Sequence, residues 1–83
     1  MMFIASTYWN GAMNVSDMRT AETEDGAWRH LVELAIEREG GAIEKNVEFF
    51  MRFTRVYEVF PDKPPRLVKP KKGMVWLSLA KSL

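Results

Sequence analysis

The 83-residue chain predicts an α+β fold: a small, mainly antiparallel sheet, opened by an N-terminal hairpin and completed by later strands, packed on one central α-helix. Three observations carry this expectation. Residues 2–9 alternate loosely and then meet Asn10-Gly11, the dipeptide that most readily adopts the two positive φ angles of a type I′ hairpin turn. Residues 24–39 repeat apolar side chains at three- and four-residue spacing. Two later segments, 46–60 and 74–80, are rich in the β-branched and aromatic residues that suit strands.

In the hairpin, Phe3, Ala5, Thr7 and Trp9 share one side and Ile4, Ser6 and Tyr8 the other. A two-residue turn sets Trp9 opposite Ala12, Thr7 opposite Asn14 and Phe3 opposite Met18, which gives strands near 2–9 and 12–19. The helix begins where the Thr23 hydroxyl can accept from a free backbone N–H. Glu24 and Asp25 follow in the first turn, at the positive end of the helix dipole. Trp28, Leu31, Val32 and Ala35 form the stripe that should meet the sheet, Arg29, His30, Glu33 and Glu37 lie on the opposite side, and Gly40-Gly41 ends the element.

The segment from 43 to 60 admits two readings. With period two, Val47, Phe49, Met51, Phe53, Tyr57 and Val59 face one way, interrupted by Arg55. With period 3.6, Glu44, Glu48, Arg52, Arg55 and Glu58 form a polar helix stripe. Propensity favours a strand over 46–60, bent near Arg55. Residues 74–80 set Val75, Leu77 and Leu79 against Met74, Trp76 and Ser78 and read as a last strand, entered through a turn at Lys72-Gly73.

Length allows one domain, residues 1–83, and there is no cysteine, so packing rather than disulfides or thiolate metal clusters must stabilise it. The chain lacks a signal-peptide pattern and any apolar run of the roughly 20 residues a membrane helix needs, so it is expected to be soluble, cytoplasmic and without a membrane partner. Net charge is +1, yet residues 1–62 hold all 11 acids and only 6 bases, whereas 63–83 hold 6 bases and no acid. Such a division bears on partners and steering rather than on fold.

Much of that basic charge lies in the connector PDKPPRLVKPKKG, residues 61–73, which also holds all four prolines. Pro61 to Arg66 matches P-x-x-P-x-R, the spacing of polyproline ligands, but also that of a stiff connector between two strands. Electrostatically, Lys63, Arg66, Lys69, Lys71 and Lys72 suit an acidic protein surface or phosphates, and a stiff segment loses little entropy on docking. Tyr8, Trp9 and Trp76 could add an aromatic platform for RNA, but aromatics in a short chain are also core residues. His30, Glu33 and Glu37 recur at i, i+3 and i+7, a spacing that brings an imidazole near two carboxylates but equally describes a solvated face meeting Arg29 and Arg38. With one histidine, no thiol and no glycine-rich phosphate loop, the familiar nucleophilic arrangements are missing, and no enzyme activity, catalytic residue, metal or cofactor is expected.

Ala21-Glu22-Thr23-Glu24-Asp25-Gly26-Ala27, following a hairpin and leading into a helix, a glycine break and a strand, resembles small phage-encoded inhibitor proteins. The phage T7 inhibitor of host RNA polymerase has A-E-T-x-D-x-A entering its helix, and small anti-CRISPR proteins show a similar strand, strand, helix, strand order. The resemblance implies a short non-enzymatic protein that binds a host protein or nucleoprotein complex and blocks it, and it carries over no functional residue. The expected interface is the sheet's far face or edge together with Lys63, Arg66, Lys69, Lys71 and Lys72, with Glu33 and Glu37 repelling wrong orientations. A small nucleic-acid-binding protein using the same basic residues is the alternative.

Overall fold

The computed structural model describes residues 1–81, whose elements are β1 (Met2–Trp9), β2 (Ala12–Met13), β3 (Arg19–Ala21), α1 (Glu24–Glu39), α2 (Glu44–Met51), β4 (Thr54–Val59), β5 (Arg66–Val68) and α3 (Trp76–Lys81). The α+β expectation holds. All strand pairs are antiparallel: β1 is central, with β4 and then β5 on one side, and β2 and β3 following one another along its other edge.

Asn10 and Gly11 both have positive φ, 51° and 78°, and Trp9 pairs with Ala12 as the turn demands. The second strand is not continuous, however. Val15–Asp17 form a 3-10 turn capped by the Asn14 side chain, which accepts from the Ser16 N–H, so β2 stops and β3 resumes in a shifted register with Phe3 opposite Ala21 rather than Met18. Asn, Ser and Asp compete for backbone hydrogen bonds and so favour such a break. Here Asp17 is drawn inward, where its carboxylate accepts from Thr7 Oγ1 at 2.6 Å and is paired with Arg38 from the end of α1.

Helix α1 has the ends its sequence indicates. Thr23 Oγ1 accepts from the Gly26 N–H at 3.0 Å, and Gly40 closes the helix at φ 79°. Ala27, Trp28, Leu31, Val32 and Ala35 are buried against Phe3, Ala5, Val56 and Val68 of the sheet and against Val47, Phe50, Met51 and Trp76 of the other helices. Removing Leu31 or Val32 from water contributes roughly 1.5–3 kcal/mol each.

Two strand expectations are corrected. Residues 46–51 of the expected 46–60 strand belong to the helix α2, which buries Val47, Phe50 and Met51; only Thr54–Val59 are extended, and the break falls at Arg52-Phe53 rather than Arg55. The two periodicities were each valid for half of the segment. The Thr54 hydroxyl donates to Met51 O at 2.7 Å across the change. Residues 76–81 are likewise a helix, α3, not a strand. In so short a window Trp76, Leu79 and Ala80 satisfy a helical face as readily as an alternating one. The deciding contacts are tertiary: the Trp76 ring lies 5.4 Å from that of Trp28, and the Glu44 carboxylate accepts from the backbone N–H groups of Trp76 (3.0 Å) and Leu77 (3.1 Å).

The result is two layers. The core residues of the sheet, Phe3, Ala5, Val56 and Val68, face the helices, while Ile4, Ser6 and Tyr8 of β1 and Arg55 and Tyr57 of β4 point to the side that carries no helix.

Candidate functional site: the open sheet face and its basic margin

Across the helix-free face, Ile4 pairs with Tyr57 and Ser6 with Arg55, while Tyr57 pairs with Leu67 on β5. Ile4, Met13, Met18, Tyr57 and Pro65 line a shallow apolar groove of about 290 Å³. Leu67 beside it is 43% exposed. No acidic residue stands in this groove or at these paired positions. At one end of the face the Arg55 guanidinium lies 4.6 Å from the centre of the Tyr8 ring and donates to Thr54 O at 3.0 Å.

The residues expected to form one basic surface are divided by the fold. Residues 60–65 connect β4 to β5, so Lys63 sits at one end of β5, over the Phe60 ring at 4.7 Å, and Lys69, Lys71 and Lys72 at the other. About 10 Å of strand separates the ends, at roughly 3.3 Å per residue. Arg66 is removed from the free set altogether: its guanidinium makes two bonds to Glu58 Oε1, at 3.1 and 2.6 Å, and so balances a buried carboxylate. Lys69, Lys71 and Lys72 are exposed and have no acidic partner among the described residues.

Glu33 and Glu37 lie exposed on α1, opposite its buried stripe and so on the far side of the molecule from the open face. Glu33 is 3.5 Å from Arg29. Among the described residues no cluster of three or more His, Cys, Asp or Glu is placed to hold a metal. Of the three aromatics considered for a nucleic-acid platform, Trp76 is buried against Trp28, whereas Tyr8 and Trp9 reach the surface at the end of β1.

Several residues at that end escaped the sequence reading. Trp9 stacks on Phe53 with ring centres 4.4 Å apart, Phe49 meets Phe53 edge-on at 5.4 Å, and Arg52 lies 5.9 Å from the Phe49 ring centre. Trp9 and Phe49 are 41% and 56% exposed. Arg52 and Arg55 are separated in the chain from Lys69 and join it only because β4 and β5 pair, so the available signal was the strand assignment itself.

At the opposite end of the sheet a wider concavity, about 730 Å³, is walled by Met1, Met2, Thr20, Ala21, Glu22, Val59, Phe60 and Pro61, with Glu22 the one titratable side chain in its lining. No helix among the described residues is long and apolar enough to cross a membrane. Compared with protein-family models, with curated proteins and with solved structures, the chain matches none.

Proposed function

We propose that the protein is a small non-enzymatic binding module that docks the open face of its sheet on an acidic patch of a partner protein. The observation that carries this reading is the apolar groove of Ile4, Met13, Met18, Tyr57 and Pro65, free of acids, on the same sheet face as Arg55, with the unpaired Lys69, Lys71 and Lys72 following the far end of the edge strand β5. An apolar centre with charge elsewhere on the same side is compatible with a specific interface, in which the centre supplies affinity and the charges supply orientation. Seven of the chain's 11 acids, Glu24, Asp25, Glu33, Glu37, Glu39, Glu44 and Glu48, belong to α1 and α2 on the other layer, so an acidic partner is steered to the sheet side. The partner class is that implied by the resemblance of the helix entry: a host protein or nucleoprotein complex blocked by occupation of its surface.

Tagged protein incubated with bacterial host lysate tests this directly. Ile4→Glu with Tyr57→Glu should abolish capture of the partner, and replacing Lys69, Lys71 and Lys72 by Ser should weaken it and flatten its salt dependence, with folding checked by circular dichroism. Undiminished capture by both variants would sink the reading. The Trp9, Phe53, Phe49 and Arg52 cluster favours a second reading, single-stranded nucleic acid stacked on exposed rings. Gel shifts at low salt decide it: a complex that fades steeply as salt rises supports it, and no shift removes it.

A further inference from the structure

In an antiparallel sheet with helices on one face, the residues of the other face are ordinarily polar. Here the pattern is inverted along β1, β4 and β5. Met2, Ile4, Tyr57, Val59 and Leu67 occupy the helix-free side, whereas the charged Glu58 and Arg66 share the helix side with Phe3, to which Glu58 is paired. Apolar side chains thus stand on the side that the fold itself leaves uncovered. Ile4 and Tyr57 are cross-strand partners at the centre of the groove, with Met13 and Met18 to one side and Pro65 to the other, so the groove runs along the strands. Thr20, opposite Ile4, also lines the wider concavity with Met2 and Val59, so the two hollows join end to end as one trough. From Met2 to Tyr8 the trough is about 20 Å long, and β1, β4 and β5 together are about 10 Å across, at the usual rise and spacing of strands.

The same geometry restricts what can lie there. Neither edge of the sheet suits strand addition, since β3 and β5 offer three residues each, β2 offers two, and prolines flank β5. A guest is left with the face. Strand β1 is bonded to strands on both sides, so the face offers no free backbone partner. An extended segment laid on it would bury its own N–H and C=O groups unpaired, whereas a helix satisfies them internally. The two ends of the trough also differ in charge. Arg55 stands over Tyr8 at one end and Glu22 lines the wall at the other, and neither forms an ion pair among the described residues.

Resting on the docking reading of this same face, we propose that its occupant is an amphipathic α-helix of the partner protein, roughly 13 residues long at 1.5 Å per residue, lying along β1 and β4. Its apolar stripe meets Ile4, Tyr57, Met13 and Met18, an acidic residue near one end meets Arg55, and a basic residue near the other meets Glu22. The unbranched thioethers of Met13 and Met18 adapt the trough to the side chains of that stripe. With the guest seated, the sheet is covered on both faces.

The test is selection on the immobilised full chain from a displayed library of random peptides of about 16 residues, enough to span the trough as helix. Circular dichroism of a synthetic enriched peptide, alone and with the protein, then reads its conformation. Enriched sequences are expected to repeat apolar residues at three- and four-residue spacing, with an acid at one end and a base at the other, and to gain helix on binding. A central proline should weaken binding more than about tenfold. Ile4→Glu with Tyr57→Glu should abolish binding, Leu67→Glu at an exposed position beside the groove should weaken it, and Arg55→Glu with Glu22→Lys should exchange the charged ends of the sequences selected. The proposal is overturned if no sequence is enriched, or if enriched peptides alternate with period two or bind without gaining helix. It is equally overturned if the face variants bind as well as the unsubstituted chain, or if the charge-exchanged variant selects the same ends. Lysate capture that still depends on Ile4 and Tyr57 alongside any of these results leaves the docking reading standing and removes only the helix; capture indifferent to both residues removes the reading itself.

Discussion

Asp17 shows how much a single side chain can organise. It is 5% exposed, accepts from Thr7 and from Asn14 Nδ2 at 3.0 Å, and is held by both terminal nitrogens of Arg38. The Arg38 hydrogen bonds hold its carboxyl below its ordinary value of 3.8; burial opposes them, and the Thr7 hydroxyl adds to the lowering. A carboxyl depressed in the folded state stabilises the fold above its unfolded pKa and loses that contribution as pH falls through the folded value. Asp17→Asn should therefore cost stability at pH 7 and much less at pH 3, seen as a urea-midpoint difference that shrinks on acidification; an equal difference at both pH values would contradict this role. Arg38→Ala, which leaves the buried carboxylate without its cation, should cost about 2–3 kcal/mol at pH 7.

At the scale of elements, β5 and α3 depend on contacts far away in the chain. Pro64-Pro65 before β5 and Pro70 after it limit the edge strand to three residues, and prolines on an edge deny pairing to another chain. That is the structural use of the proline-rich connector. Helix α3 spans six of the described residues, below the length at which a helix forms unaided, and its N-terminal amides are bonded by Glu44 of α2. Glu44→Ala should lower stability by about 1–2 kcal/mol, the range for a lost helix cap, and speed hydrogen exchange at the Trp76 and Leu77 amides first. Exchange that rises equally across α1 would instead mean that α3 is held by its apolar packing alone.

For the molecule as a whole, a Cα radius of gyration of 12.4 Å is close to the ~12 Å of a compact chain of this length. One core cluster joins the sheet to all three helices, and within it Trp28 of α1 meets Trp76 of α3. Unfolding should accordingly be a single event, with urea transitions by tryptophan fluorescence and by far-ultraviolet circular dichroism that coincide. An earlier fluorescence transition would show α3 leaving before the sheet opens. The same two-layer arrangement turns the charge division along the chain into one in space, acids on the helix layer and free lysines at the sheet edge.

What the sequence by itself determined was local chemistry with one outcome: the Asn10-Gly11 turn and its first pairs, the Thr23 and Gly40 ends of α1, and the Trp28, Leu31, Val32 and Ala35 stripe, each governed by interactions within a few residues. Where two periodicities fitted one window, as in 44–59 and 74–80, only tertiary contacts chose, because Val47, Phe50 and Trp76 gain burial from α1 as helix residues whatever their strand propensity. Site residues followed the same rule. The free lysines could be read from composition, but the loss of Arg66 to Glu58 depends on strand pairing between β4 and β5, which no linear spacing encodes.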